Sequence, residues 1–213
     1  MAKLAKEAAS LAAAGEKRPI FLCFTCDPLP KGHTAAQLTT RAMLHELLSV
    51  GLRVRLLSKG GIFPAWMHDL GMTYGSWLSF GQSLTYIDET ERGKHEPGTA
   101  PTGERIRALS IARLFGLATW ASLEPVVDPV RLGAEIAAWP RGNFPASRIN
   151  IGGPANHWKD APKVTPAEMA ELVRVCKQAI KVVGIKRDCY NLLASGGLEA
   201  AADRCERLWE VGT

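Results

Sequence analysis

The residues with chemistry to offer sit at the ends of short apolar runs. Cys23 and Cys26 form a single Cys-x2-Cys pair. Such a pair does redox work when a helix N-terminus depresses a thiol pKa. Here proline and loop residues follow, so Cys23 reads as a small buried residue and Cys26 as an accessible thiol at a strand end. Lys59 ends another run and precedes Gly60-Gly61. It is either a solvated lysine in a turn or a cation beside backbone that a ligand can approach closely. Asp27 either caps a turn or lines a site. Glu124 follows Trp120-Ala121-Ser122-Leu123, where a partly desolvated carboxylate needs a partner, either a ligand group or an arginine. Asn156-His157-Trp158 is a polar loop or a substrate-side cluster with an aromatic for base stacking. Lys186-Arg187 either meets phosphates or is simply solvated. The five histidines have no metal-ligand spacing and read as surface residues. Neither Gly-Gly pair has the spacing of a phosphate loop, and no serine elbow or Gly-x-Gly-x-x-Gly is present.

These residues need elements to hold them. Ile20–Phe24 is short, apolar and aromatic, as a strand covered on both faces should be. Further strands are expected at Leu52–Leu57, Ser76–Phe80, Leu117–Val126 and Arg148–Ile151, making five. Helical patterns fall between them, at Ala35–Leu48, around Pro64–Leu70, at Gly103–Phe115 and within Pro129–Trp139. Thr165-Pro166-Ala167-Glu168 is a strong helix start, with a threonine cap, proline at the first position and glutamate three residues after the cap. That helix is expected to run to about Val182. Residues 82–102 read as a charged loop. Alternation of this kind implies a parallel α/β sheet with right-handed crossovers, and chemistry gathers at the C-terminal strand edge. The expected organisation is an N-terminal helix at 1–17, one α/β body at 18–188 and a helical tail at 189–213.

Composition sets outer bounds. The 213 residues are 46% hydrophobic and 22% charged, enough for a good core and without the apolar depletion of a disordered chain. The net charge of +5 is scattered, so it permits nucleic-acid contact without arguing for it. No run approaches a membrane span. The Ala-rich start carries Lys3, Lys6 and Glu7, which argues for an amphipathic helix over a signal peptide. Five cysteines, an odd number, suggest a reducing compartment, and cytoplasm is the expected location.

Read in order, the strand ends resemble those of radical S-adenosylmethionine (SAM) proteins related to spore photoproduct lyase. Phe24-Thr25-Cys26-Asp27-Pro28 is similar to that family's strand ending in Thr/Ser-Asp-Pro, and Leu38-Thr39-Thr40-Arg41 to the Thr-Arg that opens its next helix. Leu57-Ser58-Lys59-Gly60-Gly61 resembles Leu-Thr-Lys-Gly-Gly. Glu96-Pro97-Gly98 with Glu104-Arg105-Ile106, then the most telling stretch, Thr119-Trp120-Ala121-Ser122-Leu123-Glu124-Pro125-Val126-Val127-Asp128-Pro129, follow in family order. Ile149–Asn156 stands where the family has Lys-Ile-Gly-Lys-Leu-Asn, and Gly184-Ile185-Lys186-Arg187-Asp188 resembles Ile-Lys-Lys-Asp.

The resemblance covers about Arg18 to Asp188. It implies a partial (β/α) barrel whose five strands here would be the second to sixth. It implies a SAM site at Thr25, Asp27, Ser58, Lys59 and Glu124, with the Lys59 ammonium on the SAM carboxylate, and a substrate side at Asn156 and Lys186. It also implies radical-based repair of a DNA photolesion. The family's Cys-x3-Cys-x2-Cys loop, whose thiolates hold a four-iron cluster, is not in this chain. Leu29 replaces the usual aromatic after Asp-Pro, and Asn150, Gly152 and Pro154 depart from the family strand end. The expectation is therefore a cluster-less part, inactive alone, partnered by a cluster-bearing fragment or by a second copy along the open edge of Ile20–Phe24. Alternatively, the N-terminal helix covers that edge. The competing expectation is a non-catalytic module that binds SAM, a nucleotide or nucleic acid, or a structural partner.

Overall fold

The computed structural model describes residues 1–22, 26–156, 159 and 162–208. In chain order its first elements are α1 (Ala2–Ala13), β1 (Ile20–Leu22), α2 (Thr34–Ser49), β2 (Val54–Ser58), α3 (Ala65–Tyr74) and β3 (Leu78–Ser83). Then come α4 (Glu89–His95), α5 (Thr102–Leu114), β4 (Ala118–Leu123), α6 (Pro129–Ala137) and β5 (Arg148–Ile151). The last are α7 (Pro166–Ala179), β6 (Val182–Ile185), α8 (Arg187–Ser195) and β7 (Glu206–Arg207). The contacts divide the chain into two units, Met1–Gln82 with Gly98–Thr119 and Ser83–Pro97 with Trp120–Thr213.

In the first unit β1, β2 and β3 run parallel, with Ile20, Val54 and Leu78 in one row and Leu22, Leu56 and Phe80 in the next. Leu56 and Phe80 are fully buried. Side chains alternate across a strand, so this row fixes which face carries the core. Phe63 closes on Phe80 edge-to-face at 5.5 Å and stacks on Phe115 at 5.9 Å. Gly71 is required where α3 crosses Leu117, since a Cβ there would lie 2.5 Å from the leucine. The helix α1 packs on α2.

In the second unit β4, β5, β6 and β7 are again parallel. Leu123, Ile151 and Ile185 share a row and are all fully buried. The α7 start forms as its sequence dictates: the Glu168 N–H donates to Thr165 Oγ at 3.3 Å, and Glu168 Oε2 accepts the Thr165 N–H at 2.8 Å. Leu172 and Val173 on the buried side of α7 are in the core, and α6 packs along it.

The α/β class with parallel strands is as expected, but the count of five strands is corrected. Seven are present among the described residues. The segment Val182–Ile185 forms β6 because α7 stops at Ala179, three residues short of the expected end. The tail also departs from a purely helical reading. After α8 and a single 3₁₀ turn at Glu199–Ala202, the two-residue β7 pairs with β6. Glu206-Arg207 has no apolar pattern. It is held by register with Gly184 and Ile185, and by Arg148 at 2.5 Å from Glu206. Within 82–102, read as loop, Asp88 nucleates α4 by accepting the N–H groups of Thr90 at 2.9 Å and Glu91 at 3.0 Å. No helix among the described residues is long and apolar enough to cross a membrane.

Candidate functional site

At the C-terminal edge of the first unit, Asp27, Ser58, Lys59 and Gly60 form one clasp. The Asp27 carboxylate accepts from Ser58 Oγ at 2.7 Å, the Lys59 N–H at 2.6 Å and the Leu29 N–H at 2.8 Å. Ser58 Oγ in turn accepts the Gly60 N–H at 2.8 Å. Thr40 Oγ1 donates to the Pro28 carbonyl at 2.5 Å, tying the same loop to α2. Asp27 therefore caps the turn at Leu29 and fixes the β1–α2 loop onto the end of β2. Gly60 is dictated by closeness, for a Cβ would fall 1.8 Å from the Leu29 carbonyl oxygen. Gly61 has φ +62°, and its Cβ would meet Ala100 at 2.5 Å. The glycines thus serve contacts within the loop cluster. Beside Ser58 in register stands Gln82, fully buried, whose carboxamide has no hydrogen-bond partner among the described residues. An orphaned amide of this kind costs about 1–3 kcal/mol. Thr25 and Cys23 lie outside the described residues.

The clasp makes a first prediction. Asp27→Ala removes three hydrogen bonds to a carboxylate and is expected to lower stability by about 2–4 kcal/mol in urea unfolding, against about 1 kcal/mol for Ser58→Ala. Equal effects from the two variants would contradict the clasp.

In the second unit the strand ends of β4, β5 and β6 lie side by side. Leu123, Ile151 and Ile185 are in register, so the residues that follow, Glu124, Gly152 and Lys186, form the next row. The Gly152 N–H donates to Leu123 O and the Lys186 N–H to Ile151 O, each at 2.9 Å. Gly152 has no side chain to separate its neighbours. A Cβ there would lie 2.5 Å from Glu124 Cγ, and across this gap the Glu124 carboxylate accepts a hydrogen bond from the Lys186 ammonium. The partner expected for Glu124 was a ligand or an arginine; it is this lysine. Both groups keep about two-fifths of their side chains exposed (37% and 45%), so the pair remains reachable from solvent. Gly153 is needed where Asp188, in the first turn of α8, comes within 2.6 Å of its would-be Cβ.

Asn156 is engaged in holding its own loop. Its Nδ2 donates to the Val164 carbonyl at 3.1 Å, its Oδ1 accepts the Val164 N–H at 2.7 Å, and the Lys163 ammonium donates to its carbonyl. His157 and Trp158, read with it as a substrate-side cluster, lie outside the described residues. Cys26 is exposed, whereas Cys176 and Cys189 are buried and Cys205 is half-buried. Burial, with the neighbouring Cys205, pushes the Cys189 thiol up to about 12, and burial raises Cys176 further still. No group of three or more His, Cys, Asp or Glu among the described residues is placed to hold a metal ion.

Two features had no clear signal in the sequence. Arg105, on α5, is completely buried; its Nε donates to Ala100 O at 2.8 Å and its Nη2 to Thr99 Oγ1 at 2.6 Å. The second is a cleft in the second unit of about 500 Å³, with Tyr86, Asp88, Glu91, His95, Asp128 and Arg131 in its walls. The only hint of it was the density of charge between 88 and 96.

Compared with known proteins, the chain matches no family model and no curated sequence. The strand-end geometry therefore carries the functional reading.

Proposed function

We propose that this chain is the greater part of a radical SAM-type barrel related to photoproduct lyases, without its cluster-bearing first strand and inactive alone. The observation that carries the reading is β1. It opens the parallel run, pairs with β2 in register from Ile20–Val54 to Leu22–Leu56, and has no other strand beside it among the described residues. An apolar end strand of this kind is a template for a further strand. The occupant proposed here is the missing βα unit with its Cys-x3-Cys-x2-Cys loop.

The fit to the family's two cofactors is divided. A four-iron cluster does not fit the described thiols, which are dispersed over an exposed loop and a buried helical corner, so no step is assigned to a cluster in this chain. The strand ends do suit SAM, which supplies hydrogen-abstraction chemistry when it is bound and reduced. Asp27 and Ser58 act by fixing the backbone of Lys59, whose ammonium would balance a carboxylate. Gln82 offers a buried donor and acceptor beside them. In the second unit, the solvent-reachable Glu124–Lys186 pair offers an acceptor for amino or hydroxyl groups and a cation for phosphate. A DNA photolesion is the substrate class this reading implies.

Anaerobic reconstitution with iron and sulfide, then dithionite and SAM, tests the proposal. The chain alone is expected to give neither a four-iron spectrum nor 5′-deoxyadenosine. Adding a separately prepared βα unit bearing the cysteine triplet is expected to give a one-to-one complex by size exclusion, and then product. Product from the chain alone would sink the reading, as would the absence of any complex. SAM binding by calorimetry, weakened by Lys59→Ala, would support a SAM site at Lys59; the same binding with no complex and no product after the βα unit is added would favour a non-catalytic binding module.

A further inference from the structure

The cleft beside Tyr86 is built from three pieces of the second unit. Its floor is Tyr86, only 5% exposed and packed in the core with Val127 and Ala155. On Tyr86 lies the His95 ring, nearly parallel, with a 7° interplanar angle and centroids 5.5 Å apart. His95 keeps about a third of its side chain exposed (35%) and is 3.5 Å from the Glu91 carboxylate. The opposite wall is Asp128 and Arg131 at the start of α6. Arg131 spans the cleft: its Nη1 donates to Asp88 Oδ2 at 2.7 Å, and its Nε is 3.5 Å from Asp128 Oδ2. Each of those aspartates also caps a helix, Asp88 on α4 and Asp128 on α6, where it accepts the Arg131 N–H at 2.9 Å. The two helix starts are therefore cross-linked, and the width between them is set.

This wall chemistry selects a ligand. A cleft of about 500 Å³ is of the size that takes a small molecule. An aromatic pair at its floor favours a flat ring, because a base stacks on any exposed aromatic face. The polar groups around it are mainly carboxylates, and an ionised carboxylate accepts hydrogen bonds but donates none. Helix N–H groups and then Arg131 hold Asp88 below the usual carboxyl range, and Lys94 does the same for Glu91. Both therefore stay ionised at neutral pH. A phosphate is disfavoured, because the carboxylates of Asp88, Glu91 and Asp128 outnumber the two cations in the walls, Arg131 and Lys159, and the Arg131 guanidinium already faces two of them.

We infer that this cleft binds a nucleobase that presents amino donors on its edge (cytosine, adenine or guanine), stacked at His95 and hydrogen-bonded to Glu91. The inference does not depend on the barrel reading, since every residue it uses lies in the second unit and no SAM or cluster is involved.

Cytidine and uridine give a direct test, because cytidine carries an amino donor at position 4 beside a bare N3, whereas uridine carries a carbonyl there beside an N3–H, so the edge pattern that Glu91 reads is reversed between them. Titration of the full chain by ligand-observed NMR is expected to show cytidine binding at least tenfold tighter than uridine. Glu91→Gln is expected to bring the two within about threefold, because an amide both donates and accepts. His95→Ala is expected to weaken cytidine about tenfold while leaving its preference over uridine, since stacking does not read the edge. Both residues lie on a short surface helix, so circular dichroism should show the fold retained. Equal binding of the two nucleosides by the unaltered protein, or no binding of cytidine at millimolar concentration, would overturn the inference.

Discussion

Gly60→Ala is expected to be the most damaging single-methyl change in the first unit, lowering stability by more than about 4 kcal/mol. The added carbon would sit 1.8 Å from the Leu29 carbonyl oxygen and 3.0 Å from its carbonyl carbon. Neither atom belongs to a flexible side chain. Leu29 is fully buried and its N–H is held by Asp27, so the loop cannot withdraw without breaking the clasp. Core overpacking costs about 1–3 kcal/mol where side chains can shift, and here backbone must move as well. Gly103→Ala is the internal control. Nothing lies within 4 Å of its would-be Cβ on α5, so the same change there is expected to be neutral or to stabilise by up to about 1 kcal/mol. Urea unfolding followed by tryptophan fluorescence compares the two. A Gly60→Ala protein of unaltered midpoint would mean the loop does not close on β2 as described.

Arg105→Ala is expected to cost about 3–5 kcal/mol. Among the described residues the side chain is the largest fully buried one, and its guanidinium stitches Thr99 and Ala100 to the start of α5. Truncation removes both hydrogen bonds and leaves a void where the arginine stem was packed. Arg105→Lys keeps the charge and most of the stem but lacks the planar fork, so it is expected to recover less than half of the loss. Full recovery by lysine would show that charge alone, rather than the geometry of the two donors, is what the buried site needs. The segment that Arg105 anchors also carries the Ala100 N–H, which donates to Lys59 O at 2.9 Å. Loss of Arg105 should therefore loosen the strand end that bears Lys59, and faster hydrogen exchange at the Lys59 and Gly60 amides would report it.

Chain-local features were legible in the sequence. The α7 capping box, the α/β alternation and the strand at Arg148–Ile151 follow from residues within a few positions of one another, and the fold carries them as read. The position of the candidate residues at strand ends was legible for the same reason, because an apolar run that stops at a charged residue marks its own edge. What those residues do to each other was not. Asp27 meets Ser58 and Lys59 across more than 30 positions, and Glu124 meets Lys186 across 62. Both meetings depend on the register of parallel strands, which is set by helix packing between them. β7 has no pattern of its own and depends on its pairing with β6, on the Arg148–Glu206 ion pair and on the room left at Gly184, where a Cβ would fall 2.8 Å from the Leu208 side chain. The cleft at Tyr86 is of the same kind. Its aspartates read as helix caps one by one, and only the packing of α4 and α6 within the second unit turns them into two ends of one clamp on Arg131. The sequence by itself determined which residues stand at the edges. Tertiary structure decided which of them are occupied in holding the loops and which keep a side chain reachable from solvent, because hydrogen-bond partners distant in sequence exist only once the strands are in register.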